Sequence, residues 1–341
     1  ATNSNTVRIY SDAYGMDTVD LDDRAPDPAE YGRSAALVRG VAEGLRRGGF
    51  SVGGFDAVTF SQVPKGSGLS SSAAYEVLLG AIFNGLYNDG NIGAEPIAQT
   101  AQFAEKEYFG KPCGLMDQMA SSVGGLVFMD FKEQDKPFLQ PLEYDFNTSG
   151  YTICVVNTGG DHADLTGCYA AVTREMSAVS ALFGREVLSQ VEPSDFYGRI
   201  AEVRSHCGDR AVLRAGNFFE ENERVRRQRE ALEAGDFRAF KNLVLQSGAG
   251  SFQYLQNVVA GGDGTHQELA LGLFLSEQLL RGRGAWRVHG GGFAGTIQAY
   301  VPADLAEHYR MTMESVFGAG SCHMLHERAT GGCEIQKNEV K

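Results

Sequence analysis

The segment from residue 64 to residue 74 has a composition suited to holding an anion. It reads Pro-Lys-Gly-Ser-Gly-Leu-Ser-Ser-Ser-Ala-Ala, between a sequence typical of a strand and one typical of a helix. Gly66 and Gly68 permit backbone torsions that side chains would forbid, and the serines stand where the free N–H groups of a helix start point. The spacing is neither that of a Walker A loop nor GxGxxG. Phosphate binding and a plain turn with serine caps are therefore equally compatible with these residues.

Three further side chains could act beside such a site. Asp117 lies among leucine and methionines, where a carboxylate is either a helix N-cap or a working group. Glu105, next to a lysine and a second glutamate, has the sequence context of an exposed helix residue. Tyr169 follows Asn157 by twelve residues, and a single tyrosine on a helix often serves core packing. The residues alone leave each of these alternatives open.

Charge and composition limit the classes of partner. The chain has 341 residues with 30 basic and 43 acidic side chains, a formal net charge of −13. Such a balance argues against nucleic acid and anionic membrane surfaces, which require clustered Lys and Arg. Six cysteines without a CxxC pair are typical of reduced thiols in a cytoplasmic protein, and no apolar run is long enough to span a membrane.

The elements that must position these residues follow from hydrophobic periodicity. The predicted strands are residues 7–10, 55–62, 125–131, 151–157, 286–289, 296–301 and 322–326. The predicted helices are residues 35–47, 72–86, 97–108, 113–122 and 304–317, with further helices between 169 and 240. The aspartate-rich stretch from residue 17 to residue 28 is predicted to be a solvated loop. Strands and helices alternate without the βαβ rhythm of a parallel sheet, which favours an α+β class.

Three motifs resemble those of one kinase family. The arrangement Pro-xxx-Gly-Leu-Ser-Ser-Ser-Ala-Ala from Pro64 to Ala74 is similar to the phosphate-binding motif of the GHMP kinases, which phosphorylate small metabolites with ATP. Its three serines, and the sequence Cys-Gly-Leu-Met-Asp-Gln at residues 113–118, resemble the galactokinases within that superfamily. The sequence Gly-Gly-Gly-Phe-Ala-Gly at residues 290–295 is similar to the third motif of the family, with Ala294 in place of a glycine.

The resemblance implies a role for each candidate residue. Asp117 would be the catalytic group, accepting or orienting the proton of the sugar hydroxyl, and with Tyr169 would contact the substrate. Ser72 and Glu105 would be the ligands of Mg²⁺. Asp161 and His162 are interpreted as loop structure. The ATP-binding residues would be Gly66, Ser67, Gly68, Leu69, Ser70, Ser71 and Ser72.

The resemblance also implies a fold and an activity. We expect a ribosomal protein S5 domain 2-like N-terminal domain over residues 1–155 and a ferredoxin-like C-terminal domain over residues 156–341. The implied reaction is Mg²⁺-dependent phosphorylation of galactose by ATP to galactose 1-phosphate, in a monomer or weak homo-oligomer. A kinase for another small polyol and a non-catalytic galactose sensor on the same fold are the alternatives.

One motif of the family has no counterpart in the chain. The galactokinase sequence Gly-Arg-Val-Asn-Leu-Ile-Gly-Glu-His-Thr-Asp, which supplies an arginine beside the transferred phosphate and groups that hold the sugar, does not occur among the 341 residues. The resemblance begins just downstream of the place where that motif belongs. We therefore expect the printed chain to lack roughly the first half-domain and to bind ATP better than it turns it over.

Overall fold

The chain divides into two compact units. The structure, a computed structural model, describes residues 1–12, 15–63, 69–133, 137–159, 165–260, 264–293 and 295–335, with the side chains of Asn147 and Thr166 excepted. Unit 1 comprises Ala1–Met129 and Arg328–Lys341, and unit 2 comprises Asp130–Glu327. The boundary between the two units along the chain falls after residue 129. The sequence predicts the domain boundary after residue 155. That assignment of domains stays a prediction.

Unit 1 begins with a small mixed sheet and its helices. The elements are β1 (Thr6–Ser11), β2 (Gly15–Asp20), α1 (Ser34–Arg47), β3 (Asp56–Thr59), α2 (Ser71–Tyr87), α3 (Ala94–Phe103) and α4 (Met116–Val123). Helix α3 continues as a π-helix over Ala104–Tyr108. In the sheet, β1 lies between β2 and β3, antiparallel to the former and parallel to the latter. Strand β4 (Leu126–Asp130) follows α4 and ends this part of the chain.

The core of unit 1 lies on one face of this sheet. Along β1, Val7 and Ile9 are buried while Arg8 and Tyr10 are exposed, the alternation that period-two side-chain geometry imposes on a half-buried strand. The buried face packs with apolar residues of α1 and α2, among them Val41 and Phe83. Because one face of each helix is buried, the start of α2 and the π-helix after α3 are held in fixed places.

A C-terminal segment belongs to unit 1. The amide N of Gly125 donates to the carbonyl O of Arg328 at 2.8 Å, and the amide N of Gly332 donates to the carbonyl O of Ser121 at 3.1 Å. A Cβ atom at Gly331 would lie 1.9 Å from the carbonyl O of Ser122, so only glycine allows this approach of backbone to backbone. The segment thus packs directly on the end of α4.

Unit 2 is built on an antiparallel sheet of four strands. Its elements are β5 (Phe138–Leu142), β6 (Tyr151–Asn157), α5 (Thr166–Leu182), α6 (Pro193–Gly198), α7 (Ile200–Cys207), α8 (Asp209–Glu233), α9 (Phe237–Gly250), α10 (Glu268–Leu280), β7 (Ala285–Val288), β8 (Thr296–Pro302), α11 (Ala306–Phe317) and β9 (Cys322–Leu325). The strand order is β7-β8-β6-β9, and every neighbouring pair is antiparallel. Residues of α10 and α11, such as Leu269 and Tyr309, share one buried cluster with the sheet.

The α+β class predicted from the sequence is confirmed, and most predicted elements occur within a few residues of their expected ends. The aspartate-rich stretch is an exception, because residues 15–20 form β2 rather than a loop. Only Val19 of this edge strand is fully buried. Because the strand carries aspartates that face solvent, its sequence lacks the apolar alternation that would predict a strand. Within the described residues, no helix is long and apolar enough to cross a membrane.

Candidate active site

Two of the predicted site residues meet in unit 1. Ser72 is the second residue of α2 and Glu105 the second residue of the π-helix. The Ser72 hydroxyl donates to Oε1 of Glu105 at 2.9 Å although the two are 33 residues apart. Glu105 is only 2% exposed, whereas Lys106 and Glu107 beside it are exposed. Glu105 is therefore not the exposed helix residue that its neighbours in sequence indicate.

The π-helix explains how Glu105 reaches this position. The α3 periodicity over residues 97–108 predicts one regular helix, but residues 104–108 take the wider π turn. An additional residue in a turn rotates the following side chains about the helix axis, and such insertions are frequent at functional sites. Glu105 and Tyr108 are then both buried. The sequence does not reveal this widening, because the apolar pattern continues through it.

The separation of the Ser72 and Glu105 oxygens is compatible with two ligands of one divalent cation. Mg²⁺ prefers octahedral oxygen coordination at 2.0–2.1 Å, and adjacent corners of such an octahedron lie about 2.9 Å apart. That is the separation of the Ser72 Oγ and Glu105 Oε1 atoms, 2.9 Å. Among the described residues there is no group of three or more His, Cys, Asp or Glu side chains that could hold a metal. A site of this kind suits a cation that takes most of its ligands from phosphates and water.

Lys111 helps to keep Glu105 ionised. Its Nζ atom lies 2.8 Å from Oε1 of Glu105, the oxygen that also accepts the Ser72 hydroxyl. Burial by itself raises the pKa of Glu105, but the hydrogen bonds from Lys111, Cys113 and Ser72 outweigh it, so the pKa lies below its ordinary value. Glu105 is therefore a carboxylate near neutral pH, as a metal ligand must be. Nothing in the sequence singles out Lys111.

A second buried carboxyl group, Glu76, lies close by. It is one turn after Ser72 on α2 and 0% exposed. Burial, together with the nearby Glu105 carboxylate, raises the pKa of Glu76 to about 8. The side chain of Gln118 donates to both groups, from Nε2 to Oε2 of Glu105 at 2.6 Å and to Oε2 of Glu76 at 3.1 Å. Sequence reasoning missed both residues, although the spacing of Glu76 from Ser72 places the two on one helix face.

The start of α2 has the geometry of an anion site. Ser70 precedes the helix in the left-handed region at φ +53° and makes no capping hydrogen bond with its side chain. An α-helix leaves its first N–H groups without intrahelical acceptors, and here these belong to the serines that open α2. Leu69 and Ser71 flank Ser70, while Gly66, Ser67 and Gly68 lie outside the described residues. Neither Ser70 nor Ser72 behaves as a simple N-cap.

Asp117 lies at the start of α4 in unit 1. It is the second residue of the helix and is exposed, whereas the capping position is occupied by Leu115. The N-cap interpretation of Asp117 therefore does not apply. The next residue, Gln118, is 1% exposed and joins the buried carboxyl groups. Asp117 therefore directly precedes, in the same helical turn, the residue that donates a hydrogen bond to Glu105.

Within unit 2, Tyr169 contacts the glycine-rich motif that begins at residue 290. Its hydroxyl donates to the carbonyl O of Gly292 at 2.7 Å, and its ring meets that of Phe293 edge to face with 5.3 Å between centroids. Asn257, 3% exposed, donates from Nδ2 to the carbonyl O of Gly291 at 3.0 Å. The turn joins β7 and β8 as predicted, and the sequence does not point to Asn257. Ala294, Asp161 and His162 lie outside the described residues.

Known proteins are similar to this chain in sequence and in fold. Residues 36–125 match the family model of the GHMP kinases N terminal domain. A galactokinase of Actinobacillus pleuropneumoniae serotype 5b is 32% identical over 309 residues, which are 89% of this chain and 76% of that protein. A galactokinase of Streptomyces coelicolor is 30% identical over 316 residues, 92% of this chain and 78% of that protein.

Solved structures agree on the fold. The crystal structure of Lactococcus lactis galactokinase complexed with galactose superimposes with a TM-score of 0.77 at 23% identity, covering 97% of this chain and 84% of that one. A mevalonate kinase structure gives a TM-score of 0.59 at 14% identity, covering 96% of this chain and 88% of that one. The fold is thus the GHMP kinase fold, and the described residues of the three sequence motifs lie at the start of α2, at the start of α4 and in the β7–β8 turn. With this fold, these motifs and relatives aligned over most of its length, the chain belongs to the galactokinase family of the GHMP kinases.

Proposed function

We propose that this protein transfers the γ-phosphoryl group of ATP to galactose, yielding galactose 1-phosphate and ADP. The observation that carries the proposal is the partly buried contact between Ser72 and Glu105, which brings two oxygen atoms suited to a metal ion to 2.9 Å from each other at the start of α2. In phosphoryl transfer the protein contributes chiefly positioning and charge stabilisation. A divalent cation site beside an anion-binding helix start supplies both.

The phosphates would lie at the α2 start. The residues from Gly66 to Ser71 would contact them through backbone N–H groups and hydroxyls. Ser72 and Glu105 would hold Mg²⁺, which supplies positive charge to the phosphate oxygens when bound. The lowered pKa of Glu105 supports this role, since a ligand that stays ionised retains its affinity for the cation across neutral pH.

Asp117 would act on the sugar. The galactose C1 hydroxyl attacks the γ-phosphorus, a new P–O bond forms, the bond to the β-phosphate oxygen breaks, and the proton passes to the Asp117 carboxylate. Asp117 is exposed while the next residue, Gln118, is buried, and this exposure supports a role for Asp117 in contacting the sugar that accepts the phosphoryl group. Tyr169 would contact the sugar through its hydroxyl, which the carbonyl of Gly292 orients.

An ADP-release assay with a panel of sugars tests the proposal. We expect galactose to be phosphorylated in preference to glucose, mannose and other polyols, with one ADP for each galactose 1-phosphate. Tyr169→Phe should raise the KM for galactose more than the KM for ATP, because of the two substrates only the sugar is proposed to contact this hydroxyl. Preference for another polyol, or galactose binding without ADP release, would instead support the alternative kinase or the sensor.

A further inference from the structure

We propose that Gln118 is a positioning residue for phosphoryl transfer: its buried side-chain amide fixes the Glu105 carboxylate for the metal ion, and Glu76 anchors the same amide from α2. The inference rests on the proposed function and adds to it a pair of residues with no direct contact to substrate. Gln118 acts through Glu105, and Glu76 acts through Gln118.

The contacts define a bridge of three side chains from three elements. One amide nitrogen of Gln118, on α4, donates to Glu105 at 2.6 Å on the π-helix and to Glu76 at 3.1 Å on α2. The two hydrogens of an amide suffice for one bond to each carboxyl group. Oε1 of Glu105 accepts a hydrogen bond from Ser72, and Oε2 accepts one from Gln118, so the carboxylate is held at both oxygens. Its plane is then fixed.

The burial of these polar side chains destabilises the folded state. Gln118 is 1% exposed and Glu76 0% exposed, among the apolar residues that form the core around α2. Oε1 of Glu76 and Oε1 of Gln118 have no hydrogen-bond partner among the described residues. Buried polar atoms without partners weaken a core, and an apolar side chain at residue 76 would avoid the penalty. A polar bridge kept at this cost indicates a role in the site rather than in stability.

The bridge also ties the metal ligand to the proposed catalytic group. Asp117 and Gln118 are consecutive in the first turn of α4, one exposed and one buried. Holding the Gln118 amide in place therefore sets the rotation of the helix start from which Asp117 projects. One hydrogen-bonded unit would align the groups that act on the two reactants, which must be placed to within a fraction of an ångström.

The test measures cation binding as well as turnover. In Gln118→Met, which keeps an unbranched side chain of similar length, we expect Glu105 to lose the hydrogen bond that Gln118 donates to its Oε2 atom. The Mg²⁺ concentration for half-maximal rate should rise about ten-fold, the range of one hydrogen bond to a charged group. The dissociation constant of Mn²⁺, measured by electron paramagnetic resonance with ADP present, should rise by a similar factor. The KM for galactose should change less than two-fold.

Two further variants separate positioning from general damage. Ser122→Ala removes another buried hydrogen bond of α4, from Ser122 Oγ to the carbonyl O of Ala94 at 2.7 Å, without touching the bridge. Its Mn²⁺ affinity should equal that of the wild type. Glu76→Met, an apolar replacement that should fold because it removes a buried carboxyl group, should raise the Mn²⁺ dissociation constant about three-fold. This second variant tests the bridge even if Gln118→Met is unstable.

A double-mutant cycle checks that Gln118 acts through Glu105. Adding Gln118→Met to Glu105→Ala should weaken Mn²⁺ binding no further, because the carboxylate that the amide positions is already absent. Wild-type Mn²⁺ affinity in Gln118→Met and Glu76→Met, or additive effects in the cycle, would overturn the inference. A wild-type protein that phosphorylates no sugar would overturn the proposed function, and unchanged Mn²⁺ binding in the variants would overturn only the bridge.

Discussion

Replacing Glu76 by Gln should remove part of the pH dependence of the stability of the protein. The group has an ordinary pKa of 4.5 and a pKa of about 8 in the folded protein, because it is buried and close to the carboxylate of Glu105. Between these values the folded state binds a proton that the unfolded state has released. The contribution of Glu76 to the free energy of unfolding of the wild type therefore falls as the pH rises from about 4.5 to about 8.

The magnitude follows from this difference in proton binding. One proton corresponds to about 1.4 kcal/mol for each pH unit, so the group can remove at most roughly 4 kcal/mol between pH 5 and pH 8. Gln has nearly the shape of a protonated Glu and does not titrate. Relative to the wild type, Glu76→Gln should thus become progressively more stable as the pH rises, and the difference should level off above pH 8.

Urea unfolding followed by circular dichroism at several pH values between 5 and 8 measures this difference. Glu43→Gln is the matched control, a second buried helix glutamate in unit 1 whose pKa is lowered, chiefly by the hydrogen bond from Arg24. Its contribution is present above its ordinary pKa and is lost only as the pH falls through its lower folded value. The Glu43→Gln difference should therefore stay constant from pH 5 to pH 8. A Glu76→Gln difference that is equally constant would refute the assignment of a raised pKa to Glu76.

The remaining predictions concern the site and the glycine turn. Asp117→Asn should lower kcat by about 10²–10⁴-fold and change the affinity for ATP little, because Asp117 is proposed to act on the acceptor hydroxyl. Steady-state kinetics and calorimetry with an ATP analogue check this, and a near wild-type kcat would remove Asp117 from the mechanism. Ser72→Ala and Glu105→Ala should each raise the Mg²⁺ concentration needed for half-maximal rate, since each removes one oxygen ligand, and unchanged titration curves would exclude the proposed metal site. Gly292→Ala should destabilise the protein much more than Gly290→Ala in thermal unfolding. Both have positive φ, which costs a non-glycine residue roughly 1–2 kcal/mol, but only at Gly292 would the new Cβ lie 2.1 Å from a backbone carbonyl oxygen; equal losses would contradict the close approach.

The sequence alone determined the features that depend on local order. The strand Tyr151–Asn157 was predicted at its observed bounds, and helix α1 within one residue, because their apolar residues follow the period of one element. The three motifs were recognisable for the same reason, since each lies within a few consecutive residues. The sequence pattern predicts no element over residues 241–284, although most of α9 and all of α10 (Glu268–Leu280) lie there. In α10 apolar residues occur on nearly every side, which obscures the helical period.

The tertiary structure decided which of these residues act together. Glu105, followed by Lys106 and Glu107, has the sequence context of an exposed helix residue. Only the π-helix and the packing of α2 against it bury its carboxylate beside Ser72. Glu76 and Gln118 are ordinary helix residues in sequence, and they become a bridge because three elements converge on one buried point. Hydrophobic periodicity specifies which face of each element is buried, but not which polar groups from distant parts of the chain that burial brings together. The pKa of each carboxyl group depends on those neighbours and on the loss of water, so it is a property of the folded chain.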